Sequence, residues 1–192
     1  MKMKICFIGI VVVMIGFTAC KGKNKTDDKN GSDVDTVKFY PVNQYIQAEI
    51  DSLIKLDKAF TKVTTINKQT ADSATITAAD FKAFANFFLE KDITKQPVKK
   101  EYKENIFRSL TTGTVVFNYT STNPASSIRT IDVSLNDADS KIKRVDIKNL
   151  YSKGDSSYTE NLSWVFGSKC YINRFAQGKD QKSTITTTTI RW

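Results

Sequence analysis

Any chemistry in this 192-residue chain has to be done without histidine, for it has none beside three cysteines and 20 acidic residues. That absence removes Ser-His-Asp and Cys-His nucleophilic sites, HExxH zinc sites and most transition-metal sites together. Glycine-rich phosphate loops are missing too, and Gly113 and Gly167 stand alone at turns. Carboxylate chemistry stays open, since a glycosidase-type site needs only two acids about 5 to 9 Å apart. The acids here, however, sit mainly in turns and charged helices. Asp137 and Asp139 resemble a fragment of a calcium loop, but the glycine and distal glutamate of that loop do not follow. Cys170, within KCYINRF, reads as a small buried hydrophobe rather than a nucleophile. The expectation is a protein that is not an enzyme and holds no metal or cofactor.

Binding chemistry has more candidates. In AADFKAFANFFLE, Phe81, Phe84, Ala85, Phe88 and Leu89 recur at helical spacing and make a bulky face suited to a core. Where part of that face lines a cavity, Phe84 and Phe88 are the candidate contacts to an apolar ligand. The densest basic stretch, KDITKQPVKKEYKEN at residues 91–105, carries Lys99 and Lys100, candidates for touching anionic lipid or glycan. Glu101 and Glu104 interleave with its lysines, and Pro97 interrupts any helix through it. Tyr151, Tyr158, Trp164, Tyr171 and Trp192 form an aromatic set that strand alternation mostly buries. Tyr158 and Trp164 are the members singled out for stacking on a sugar or peptide.

The N-terminus, MKMKICFIGIVVVMIGFTAC, has a positive start at Lys2 and Lys4, an apolar run over residues 5–17, and small residues before Cys20. A run of 13 or so residues spans roughly 20 Å as a helix, too short for the 30 Å hydrocarbon core. This is the layout of an export signal. Phe17-Thr18-Ala19-Cys20 resembles the lipobox of bacterial lipoproteins, with Phe17 departing from the usual leucine. The resemblance implies a signal peptide over 1–19, cleavage before Cys20 and fatty acylation there. Several acyl chains would anchor the protein firmly, at about 0.8 kcal/mol per buried methylene. Lys21, where inner-membrane lipoproteins of enterobacteria carry aspartate, implies the outer membrane, facing periplasm or cell surface. The composition is similar to that of Bacteroidota lipoproteins.

Residues 20–38 read as the lipidated cysteine and a flexible tether, too polar to repay the entropy of ordering. Residues 39–192 remain as a single α+β domain. Residues 40–62 read as an amphipathic helix with Ile46, Ile50, Leu53 and Phe60 on its stripe. The stretch 63–75 reads as turn-like, and Thr77-x-x-Asp80 as a capping box opening a second helix. From Ile106 the period moves toward two, and about six strands joined by short turns predict an antiparallel meander. The expected architecture is two N-terminal helices packed on a curled antiparallel sheet. That arrangement is loosely similar to cystatin-like or NTF2-like cones and to half-barrels, with no motif that carries a function across.

The net charge of +9 suits an anionic partner, while export argues against nucleic acid and no motif speaks for it. The functional expectation is a non-catalytic binding or accessory protein held at the membrane through its N-terminus, with an envelope protein, lipid or glycan as partner. The alternatives are a carrier of lipid or another hydrophobic ligand with an apolar cavity, and a carboxylate-dependent hydrolase.

Overall fold

A computed structural model describes residues 39–192. The signal segment, Cys20 and the tether lie outside the described residues. The domain joins two helices to a nine-stranded antiparallel sheet, so the α+β expectation holds and the count of about six strands does not.

Helix α1, Val42–Lys55, stops seven residues short of the expected end. Asp57 turns into the left-handed region (φ 48°), and the Lys58 amide donates back to the Leu53 carbonyl, which closes the helix. Phe60 therefore begins strand β1, Phe60–Ile66, instead of ending the helical stripe. Residues 63–75 then build most of a hairpin with β2, Gln69–Ile76. Asn67 and Lys68 both have positive φ (49° and 71°), the pairing that a tight two-residue hairpin requires. Helix α2, Ala78–Leu89, follows, so the two helices are separated by the hairpin.

The expected capping box is present: Thr77 Oγ1 accepts from the Asp80 amide at 3.1 Å, and Asp80 Oδ2 accepts from the Thr77 amide at 3.2 Å. After a 3-10 turn, Val98–Glu101, strands β3 to β9 form one meander. They are β3 Tyr102–Ser109, β4 Thr114–Ser121, β5 Ile128–Asn136, β6 Ile142–Lys153, β7 Ser156–Val165, β8 Lys169–Gln177 and β9 Ser183–Arg191. Strand β1 pairs antiparallel with β9, giving the order β2-β1-β9-β8-β7-β6-β5-β4-β3. Strands β2 and β3 are the edges.

One sheet face carries both helices. Ile46, Ile50 and Leu53 of α1, with Phe81, Ala85 and Phe88 of α2, bury against Ile131, Val133, Val145, Ile147, Leu162, Trp164 and Ile190. Each valine, leucine, isoleucine or phenylalanine among them contributes about 1.5–3 kcal/mol when fully buried. Trp164 sits at the centre, 5.2 Å from the Phe88 ring and 5.5 Å from Trp192, and Phe81 stacks on Phe60 at 4.2 Å.

Two polar links fix the helices. The Trp164 indole N–H donates to Glu49 of α1 at 2.6 Å, and the Gly167 amide donates to the same carboxylate. Gly167 makes the β7–β8 turn at φ +75°, a conformation that side-chain-bearing residues disfavour. Asn43 Nδ2 of α1 donates to the Leu89 carbonyl at 2.7 Å, satisfying the C-terminal end of α2.

Candidate functional site

The helices cover only part of their sheet face. Alternation along the same strands, past Leu162 and Ile172, places Glu160 and Tyr158 on β7, Arg174 on β8, and Asn149 and Tyr151 on β6 toward that face. Thr186 and Thr188 of β9 and Lys62 of β1 extend it by register. Where α2 overhangs this floor there is a groove of about 230 Å³, lined by Phe84, Phe87, Ile172, Arg174, Thr186, Thr188 and Lys62. Its roof is aromatic, with the Phe84 and Phe87 rings edge to face at 6.2 Å. Its floor is hydroxylated and cationic.

Arg174 is held rigidly. Its Nε and Nη2 donate to Glu160 Oε1 at 2.8 and 2.7 Å, Tyr151 Oη donates to the same oxygen at 3.1 Å, and Asn149 Nδ2 donates to Oε2 at 3.0 Å. Burial disfavours the Glu160 charge, but the bonds from Asn149 and Arg174 outweigh it and hold the carboxyl below its ordinary value. Burial opposes the Arg174 charge as well, and its bonds to Glu160 prevail, raising its pKa. Asn149 Oδ1 is buried with no hydrogen-bond partner. Lys62 makes a loose 4.0 Å ion pair with Asp72 of β2, a contact worth little at a surface, and also feels the charge of Asp80 at the start of α2.

The residues singled out from sequence scatter over this frame. Phe84 lines the groove. Tyr158 stacks on Tyr151 at 4.9 Å and so adjoins the Glu160 cluster behind the floor. Phe88 and Trp164 have 0% exposure and are packed into the core, out of reach of a ligand in this structure. Their carbon framework is committed to Phe81, Trp192 and each other. Lys99 and Lys100 lie in the 3-10 turn before β3, where Lys99 Nζ stands 5.5 Å from the Phe39 ring and Lys100 is exposed. Cys20 lies outside the described residues.

Sequence reasoning passed over Lys62, Phe87, Glu160, Ile172 and Arg174. Phe87 falls off the three-and-four stripe of α2, which is why it stays exposed. Glu160 and Arg174 did leave a signal, since each is a charge in core phase on its strand, in step with Leu162 and Ile172.

The opposite, helix-free face carries a shallow polar depression of about 390 Å³, with Asp132, Arg144, Asp146, Lys148, Ser163 and Tyr171 in its lining. Asp132 and Asp146 stand directly opposite each other on β5 and β6, an arrangement that is destabilising unless compensated. Compensation is local. Asn118 Nδ2 donates to Asp132 at 2.5 Å, while Ser163 Oγ and Arg144 Nη2 donate to Asp146 at 2.5 and 2.6 Å. Arg144 also bonds Tyr171 at 2.8 Å. The facing acids are thus already engaged by donors. Cys170 is buried, and burial pushes its thiol pKa upward. Among the described residues, no helix is long and apolar enough to cross a membrane.

The chain matches no protein-family model, no curated protein and no solved structure, so the groove has to be interpreted from its own residues.

Proposed function

We propose that this chain is a lipid-anchored protein of the bacterial cell envelope, tethered to the outer membrane through Cys20, that binds a partner and catalyses no reaction. The groove beneath Phe84 and Phe87 takes an apolar, acidic segment of a partner envelope protein. The observation that carries this reading is the groove's two-sided chemistry, an aromatic roof over a floor bearing Lys62 and Arg174. An aromatic or aliphatic side chain of the partner would lie against the phenylalanines, and its carboxylate would meet Lys62.

Size supports a protein segment over an enclosed lipid. About 230 Å³ is below the roughly 300–1,000 Å³ of pockets that engulf a small molecule. The space behind Phe84 is filled by Phe88, Trp164 and Phe81. The non-catalytic part of the reading is supported by the facing aspartates, one oxygen of each of which is already engaged, Asp132 Oδ1 by Asn118 and Asp146 Oδ1 by Arg144 and Ser163.

The test places a photo-crosslinking residue at Phe87 of the full, lipidated chain in membranes of its own cells. A discrete protein adduct is expected, absent when the probe is moved to Tyr45 on α1, and lowered about tenfold by Lys62→Glu, as loss of one desolvated ion pair implies. Adducts to lipid only, or a protein adduct indifferent to Lys62→Glu, would refute it. The anchor is tested separately: Cys20→Ser should move the protein from the membrane pellet to the soluble fraction.

A further inference from the structure

The two sheet edges are built differently. Edge strand β2, QTADSATI, is polar or small at every position but Ile76, as an edge that stays single should be. Edge strand β3, YKENIFRS, carries Ile106 and Phe107 at 57% and 58% exposure, and Leu110 just beyond it is 84% exposed. Ile106 and Phe107 are consecutive, so they project to opposite faces of the sheet. An element lying on one face would cover one and leave the other in water. An added strand flanks both.

We propose that β3 pairs antiparallel with β3 of a second copy of this chain, joining two sheets through a two-fold axis at Ile106. Symmetry limits the choices. An axis perpendicular to the sheet pairs only residues that point to the same face, so it must pass through a residue position and not between two. Centred on Ile106, the pairing sets Ile106 against its own copy and Glu104 against the partner's Arg108 on both sides of the axis. It also makes the two Phe107 rings diagonal neighbours, within the reach of aromatic side chains. Centred on Asn105, Glu104 would meet the partner's Ile106 and Lys103 the partner's Phe107. Centred on Phe107, Arg108 would meet the partner's Ile106 and Glu104 the partner's Leu110. Charge complementarity selects the Ile106 register.

Both charges are already positioned from within their own chain. Glu104 stands directly opposite Tyr119 across the β3–β4 pair. Arg108 is held by Asp137 at 3.1 Å, and a guanidinium with five N–H donors has several to spare. An eight-residue strand pairing is a small interface of the weak class.

The experiment uses the full chain in detergent under mild copper-catalysed oxidation. Ile106→Cys should give a covalent dimer about tenfold above both the parent chain and Lys103→Cys, whose two copies stand roughly 20 Å apart in this register. Sedimentation of cysteine-unaltered variants gives a second readout. Glu104→Arg or Arg108→Glu alone should weaken self-association about tenfold, and the double exchange should restore it, as two opposed ion pairs turned like-charged predict. Restoration by the double exchange is expected of self-pairing alone. Equal crosslinking at positions 103 and 106, a parent chain that sediments as monomer at every concentration, or a double exchange as weak as either single change would each overturn the proposal.

Discussion

Glu49 is the residue through which α1 is locked to the sheet, and replacing it by alanine should cost more than its place on a helix surface suggests. Its carboxylate accepts the indole N–H of Trp164 at 2.6 Å and the amide of Gly167. The two donors differ in what happens when it leaves. Gly167 is exposed and its amide would be rehydrated. Trp164 has 0% exposure, so its N–H would stay buried and unpaired. A lost bond to a charged acceptor, with the donor stranded, costs about 2–3 kcal/mol. In urea that is a fall in midpoint of about 1 M at an ordinary slope.

Glu49→Gln should behave differently. Its amide oxygen can still accept from Trp164, and the cost of burying a charge disappears, so the variant should lie within about 1 kcal/mol of the parent. Burial raises the Glu49 carboxyl above its ordinary 4.5, working against the bonds from Trp164 and Gly167. The folded state then binds a proton more tightly than the unfolded chain. Stability of the parent relative to Glu49→Gln is therefore greatest below pH 4.5 and declines as pH rises through the folded value. Urea titrations read by tryptophan emission test both points, with Asp51→Ala on the exposed side of α1 as the control. A Glu49→Ala midpoint indistinguishable from that control would refute the argument, as would a parent-minus-Gln difference that grows with pH.

Glu160 has the opposite sign. Its lowered carboxyl contributes stability that is present above the ordinary 4.5 and is lost as pH falls through the folded value, and Glu160→Gln should flatten that acid limb in urea titrations. Glu160→Ala strands Asn149 and a partly exposed Arg174 and should cost about 2–3 kcal/mol after allowance for solvent at Arg174, read as a fall in urea midpoint. Thr77→Ala removes the α2 capping box and should lower stability by about 1 kcal/mol, with the loss of protection in hydrogen exchange confined to the first turn of α2. Cys170 should resist iodoacetamide in the native chain and react only on denaturation, as peptide mass mapping of the 169–175 segment would show.

How far the fold could be read from sequence depended on where burial left a period. The α2 capping box, the β4–β9 meander and the Ile46, Ile50 and Leu53 stripe were legible because one side of each element is buried and the other wet. The β1–β2 hairpin was not, because β2 is exposed along nearly its whole length and so carries no alternation. Its Asn67-Lys68 turn was the available cue, weaker than an Asn-Gly pair. The beginning of β3 was hidden for a related reason. Lysines and glutamates over residues 99–104 resemble a solvated surface, while Tyr102 alone among them is buried. The groove was half legible. Phe84 stood out by spacing, whereas Phe88 and Trp164, equally aromatic, were drawn into the core by each other, and no local pattern says which of three neighbouring aromatics stays outside.

The physical logic of the sheet ties these surfaces together. A strand register is rigid, so residues in core phase continue to face the same side after the helices run out. At β6, β7 and β8 that continuation is handled with Asn149, Glu160 and Arg174: Asn149 and Arg174 both donate to the Glu160 carboxylate, and the core ends in polar side chains. The groove is the seam where the last aromatics of α2 meet that polar boundary. At β3 the polar closure is broken: between Glu104 and Arg108, Ile106 in core phase and Phe107 out of phase are both left apolar and exposed, on a strand with one side already paired to β4. Polar side chains along edge β2 and apolar exposure along edge β3 fit a sheet that ends in water on one side and, as proposed, in a further strand on the other.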